Sequence, residues 1–182
     1  MAVVETILRS ESAGRDRAPF LFAQCGQRSL EFEIRRGASV VSRLIFSSEE
    51  GRSAGAGPTG REWLLERSGT LGPFITAWRR GRRAPGATVR PDGWGGAAIR
   101  TEAGHALMWV RRRRPGTSSI LTASDGLPVL RYEISPTEAT LSGAIGVKGA
   151  AERLDRLPFL ASLGLFLAIV EWVETPDLGS RS

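Results

Sequence analysis

Positions 157 to 170 read LPFLASLGLFLAIV, fourteen residues without a charge, and Glu171, Trp172, Val173 and Glu174 follow. Such a segment either crosses a bilayer or fills the inside of a fold. Apolar all round, it has no side to offer water, so as a helix it needs apolar neighbours in every direction. Its residues rise about 21 Å as an α-helix, short of a ~30 Å hydrocarbon layer. A strand of about seven residues rises ~23 Å, so helix and enclosing strands would match in length. Asp155 stands where an N-cap is needed, Pro158 falls in the first turn where a missing N–H is tolerated, and Pro176 stops the run. The pattern predicts a core helix over about 155–174. Ala161, Gly164 and Ala168 form one stripe, expected to let a strand backbone come close. The rival reading is a tail-anchored span, with Gly164 and Ala168 as a small-xxx-small pair, Arg153 and Arg156 on the cytoplasmic side and Trp172 at the interface.

The wall for such a helix is written upstream. Leu30, Phe32 and Ile34 alternate with Glu31, Glu33 and Arg35, the signature of a strand with one buried face. Further strands are expected at Val3–Leu8, Pro19–Gln24, Val40–Phe46, Glu62–Arg67, Phe74–Trp78, Thr88–Arg90, Ala97–Thr101, Ala106–Arg111, Ser119–Ala123, Pro128–Ile134 and Ala139–Val147. Turn chemistry separates them: GTLGP, RRGRRAPG, RPDGWGG, TEAGH, RRRRPG and ASDGLP, with Asp125-Gly126 the strongest hairpin signal. Barrels of about ten or more strands are too wide for their own side chains to fill, and a central helix is one solution. The expectation is therefore mainly β: a closed antiparallel barrel of about twelve strands around one hydrophobic C-terminal helix, a single domain over 1–175. The stretch SSEEGRSAGAGPTG, 47–60, reads as a flexible internal loop, and 176–182 as a disordered tail.

Composition narrows the chemistry. The 182 residues carry a formal net charge of +6, and Lys148 is the only lysine among 25 basic residues. Arginine binds phosphate well because its planar fork offers paired donors and never deprotonates. Cys25 is the only cysteine and His105 the only histidine, so no disulfide framework and no zinc set can form within the chain. No metal and no cofactor is expected. The N-terminal MAVVETILRSES lacks a basic region followed by an apolar one, so no signal peptide is expected, and the isolated thiol fits a reducing, cytoplasmic setting.

With strands first and an all-round apolar helix last, the chain resembles the tubby, phospholipid scramblase and LURP-one-related group. The residues that carry the resemblance are REWLLER at 61–67, GHALMWV at 104–110, ILTASDGLPVLRYEI at 120–134 and RLPFLASLGLFLAIVEW at 156–172. It implies a barrel threaded by its final helix, and a part played at membranes or anionic lipid headgroups. The group's phosphoinositide-binding motif has no residue-by-residue match here, and the scramblases' cysteine-rich and calcium-binding segments are missing.

Three motifs remain. Gly55-Ala56-Gly57-Pro58-Thr59-Gly60 satisfies GxGxxG, but a dinucleotide site needs that motif to open a helix, and a strand pattern follows it. His105 lies near Glu102, but no GxSxG elbow supplies a nucleophile, and no catalytic residue is assigned. The charge clusters are Arg79, Arg80, Arg82 and Arg83 around Gly81, and Arg111, Arg112, Arg113 and Arg114 before Pro115. Both read as Arg-rich hairpin tips able to pair with lipid phosphates or a nucleic-acid backbone. Lipid is the expected partner and nucleic acid is not. The plainer reading is that cationic tips are solvated and discourage aggregation. Counting turns along an uninterrupted meander puts the two clusters at opposite ends of the barrel. Trp78, Trp94 and Trp109 lie near them, as interfacial anchors or as packing. The expected function is a non-enzymatic binding or scaffold module, peripheral to the membrane, for anionic phospholipid headgroups. The alternatives are a regulatory protein-interaction domain without lipid affinity and a tail-anchored membrane protein.

Overall fold

Alternation builds the wall. The structure, a computed structural model, describes residues 17–26, 30–47, 53–69, 74–92, 96–111, 118–137, 140–154 and 156–174. Twelve strands lie among them: β1 (Arg17–Gln24), β2 (Glu31–Arg36), β3 (Ser39–Phe46), β4 (Ser53–Gly57), β5 (Trp63–Ser68) and β6 (Phe74–Arg79) form the first half. The second half is β7 (Pro85–Pro91), β8 (Ala97–Thr101), β9 (Ala106–Arg111), β10 (Ser118–Ala123), β11 (Pro128–Pro136) and β12 (Leu141–Val147). In β2, Phe32 and Ile34 are fully buried while Glu31, Glu33 and Arg35 face outward. Each strand pairs antiparallel with its neighbours in sequence, and β1 pairs with β12, with Phe22 opposite Gly143. The sheet therefore closes without an edge. Its outer wall carries Glu33, Arg43, Arg90, Arg100, Arg131 and Glu133, and charges of this kind are costly on a lipid-facing wall.

After β12 a short 3-10 turn (Gly149–Arg153) leads into α1 (Leu157–Glu174), the expected core helix. Residues 159–170 are buried without a break, so the rod lies inside the barrel. Among the described residues no helix is long and apolar enough to cross a membrane. The rod runs off-centre, packing chiefly on β3 and β4, where the inward residues Ser42, Ala54 and Ala56 are small. Bulky Trp109, Leu121, Leu130 and Tyr132 fill the wider opposite side. At Gly164 the close neighbour is not a strand backbone, as the small-residue stripe suggested, but the side chain of Tyr132, whose hydroxyl donates to the Leu160 carbonyl at 2.9 Å.

One expected loop is a strand. Residues 53–57 form β4, although Ser-Ala-Gly-Ala-Gly has little strand propensity. Burial explains it: Ala54 and Ala56 are fully buried, and only small side chains leave room for α1 there. On the outer face a Cβ at Gly55 would strike the Gly60 carbonyl. The GxGxxG motif thus shapes a strand and its hairpin turn, leading into β5 rather than a helix. The proposed strand Val3–Leu8, the cap Asp155 and the tail 176–182 lie outside the described residues.

Antiparallel order sorts the connections into two ends. Those after β2, β4, β6, β8 and β10 share the end where α1 begins, the entry end. Those after the odd strands share the exit end, where α1 finishes.

Candidate functional site

Strand parity aims the arginines. In β5, Trp63 and Leu65 point inward and Leu64 outward; in β6, Ile75 and Ala77 point inward. Arg79 pairs with Trp63 and shares its parity, so it leans over the barrel mouth at the entry end. Arg61, two residues before Trp63, has that parity as well. The β5 and β6 ends are tied by the Arg80 N–H donating to the Glu62 carbonyl at 2.9 Å.

Between these strand ends and the start of α1 lies an open cleft of about 570 Å³. Arg61, Arg79, Arg80 and Arg156 contribute its charge, and Trp63 and Phe159 its apolar wall. Those two rings stack with centroids 3.9 Å apart, and the Arg156 guanidinium lies over the Trp63 ring at 5.8 Å. Arg156 has a left-handed backbone, φ 62°, rare for a residue with a Cβ. That turn aims its carbonyl at the first turn of α1, where it accepts from Phe159 at 2.9 Å and Leu160 at 3.1 Å. Pro158, next to it, has no N–H to satisfy.

The floor of the cleft is a closed relay. The Gly57 N–H donates to the Ser42 hydroxyl at 3.1 Å, and the Ser162 hydroxyl donates to the Pro158 carbonyl at 3.0 Å. Ser42 must therefore give its own proton to Ser162, 2.7 Å away. The chain of bonds joins β4, β3 and α1 with no buried hydroxyl left over.

Two carboxylates sit among the guanidiniums, and both are engaged. Glu62 accepts from the Thr59 hydroxyl at 2.9 Å, the Thr59 N–H at 3.2 Å and the Arg61 N–H at 3.1 Å. Burial pushes its pKa up, but these donors outweigh it and leave the carboxyl below its ordinary value. Glu102, in the turn after β8, is paired with Arg156. That hydrogen bond, aided by the charges of Arg156, Arg79 and Arg82, holds Glu102 below the usual carboxylate range. Arg61, Arg79, Arg80, Arg82 and Arg83 are exposed and make no ion pair among the described residues.

The two sequence clusters part company. Arg79 and Arg80 line the cleft, and Arg82 and Arg83 lie in the adjoining turn. Arg111 closes β9 at the exit end, where it pairs with Glu171 at 3.1 Å, and Arg112, Arg113 and Arg114 lie outside the described residues. Glu171 also accepts from the Trp109 indole at 2.8 Å, so that tryptophan is buried packing rather than an anchor. Trp94 is outside the described residues, and Trp78 is half-buried on the outer wall. Arg61 and Arg156 escaped the sequence reading because neither stands in a run of arginines. Arg61 and Arg79 flank the expected hairpin of Glu62–Arg67 and Phe74–Trp78, so antiparallel pairing alone puts them at one end.

Comparison with known family models, with curated proteins and with solved structures finds no match.

Proposed function

We propose that the protein is a non-enzymatic binding module whose entry-end cleft takes the phosphate of an anionic phospholipid headgroup, the barrel resting peripherally on the bilayer. The observation that carries the reading is the convergence of Arg61, Arg79, Arg80 and Arg156, from three separate elements, on one open cleft. Guanidiniums suit phosphate through paired, charge-assisted hydrogen bonds. They do not exchange protons near neutral pH, and the oxygens of the one carboxylate in the cleft wall are already occupied by donors. A pocket of that make-up favours holding an anion over transforming one. The likeness to tubby and LURP-one-related barrels in the order of strands and final helix supports the same partner class.

The test compares two variants of the full chain with equal charge. Changing Arg79, Arg80, Arg82 and Arg83 to Ser removes as much charge as changing Arg111, Arg112, Arg113 and Arg114 to Ser. Co-sedimentation with phosphatidylcholine vesicles containing phosphatidylserine is expected to fall sharply for the first and little for the second. Retention should weaken with rising salt. Equal losses would mean diffuse charge attraction, and no retention of the natural chain at low salt would end the reading.

A further inference from the structure

The outer wall beside the cleft carries an uncharged row. Reading across the register, Gly55 on β4 stands opposite Leu64 on β5, Leu64 opposite Trp78 on β6, and Trp78 opposite Pro85 on β7. No charge interrupts this row over four strands. Leu64 is 43% exposed, Pro85 is exposed and Trp78 is half-buried. Some rows elsewhere are charged, with Glu33 opposite Arg43 and Thr88 opposite Arg100, while Ala98, Met108, Thr122 and Pro128 form a second uncharged row far from the cleft arginines. A single exposed leucine would mean nothing. What sets this row apart is its border, since its strands run directly into Arg61, Arg79 and Arg80, and the turn carrying Arg82 and Arg83 ends at Pro85.

We propose that this row is the surface by which the protein docks on an anionic bilayer. The inference rests on the headgroup reading and adds an orientation to it. Leu64, Trp78 and Pro85 enter the boundary between headgroups and acyl chains, while the arginines above them meet the phosphates. An indole suits that depth, being apolar in body with one polar N–H. Charge complementarity selects the occupant. Among the described residues the arginines bordering the row make no ion pair, and the carboxylates among them are tied to Thr59 and Arg156. Glu66 stands beyond Leu64 on β5, so the positive charge gathers on the cleft side of the apolar strip. An anionic lipid surface is the complement of that arrangement, with negative charge above hydrocarbon.

Leu64→Asp is the decisive variant, because the position is exposed and the barrel interior is untouched. It is measured with the full chain against phosphatidylcholine vesicles with and without phosphatidylserine, and against inorganic pyrophosphate by calorimetry. Leu64→Asp and, separately, Trp78→Ser are expected to weaken vesicle binding about tenfold or more, as one lost apolar anchor implies. Pyrophosphate binding should not change. Acyl chains carrying bromine should quench tryptophan emission in the natural chain, and markedly less in Trp78→Phe. Vesicle binding unchanged in Leu64→Asp but lost in the Arg79 to Arg83 variant would overturn the docking surface and leave the headgroup reading standing. Pyrophosphate binding without vesicle binding in the natural chain would overturn both, and point to a soluble phosphate ligand. Should Leu64→Asp abolish pyrophosphate binding as well, the row supports the cleft rather than a membrane, and the docking surface is overturned.

Discussion

Tyr132 is the chain's only tyrosine, fully buried between Gly164 and Trp109, and burial raises its pKa well above the ordinary phenol value. A folded-state pKa above the unfolded one favours the native state at low pH and withdraws that support as pH rises. Below pH ~10 both states hold the proton; above it the unfolded chain alone releases it, and stability falls. Tyrosinate absorbance should thus appear only as the chain unfolds, in one cooperative step, and Tyr132→Phe should flatten the alkaline loss of stability. Absorbance rising in the folded protein near pH 10 would contradict this. Gly164 faces the same ring, and a Cβ there would collide with the phenol. Gly164→Ala is expected to cost about 1–3 kcal/mol in urea denaturation despite alanine's better helix propensity. The sequence marked Gly164 as a close-approach position but not its neighbour, because a tyrosine on a distant strand announces nothing about which gap it fills.

At the scale of elements, α1 and β4 show what patterning reveals and what it hides. The helix was legible because an uninterrupted apolar run of limited length has few places to go. The strand was hidden because its composition answers to the helix packed on it, and propensity measured without that partner points to a loop. The Gly57–Ser42–Ser162–Pro158 relay binds the two, and it makes an asymmetric prediction. Ser162→Ala leaves the Ser42 hydroxyl a donor without an acceptor, yet the Gly57 N–H stays satisfied. Ser42→Ala strips the buried Gly57 N–H of its acceptor. Ser42→Ala should therefore destabilise more, about 1–3 kcal/mol against ~0.5–1.5 kcal/mol for Ser162→Ala. The reverse order in matched urea curves would show that the relay is drawn the wrong way round.

For the molecule as a whole, closure and filling depend on each other. Alternating strands, turn spacing and the final apolar run agreed on a barrel with a rod inside, and that agreement across levels made the architecture readable. The convergence of four arginines was not readable as a site: Arg61 and Arg79 flank one expected hairpin, but Arg156 joins them only once the helix is placed. Removing residues 157–182 should leave twelve strands lining a void that side chains cannot fill. The truncated chain is expected to lose cooperative thermal unfolding and to bind hydrophobic dyes, checked by calorimetry and dye fluorescence. A sharp, native-like transition without the helix would sever filling from closure. The seam between β1 and β12 reaches further still. During synthesis the opening strand emerges long before its mate, and the plug emerges later than either. Until β12 and α1 have been made, the inward faces stay wet and β1 waits unzipped. Manufacture of this protein is thus a race between delivery of the helix and self-association of chains that still lack it.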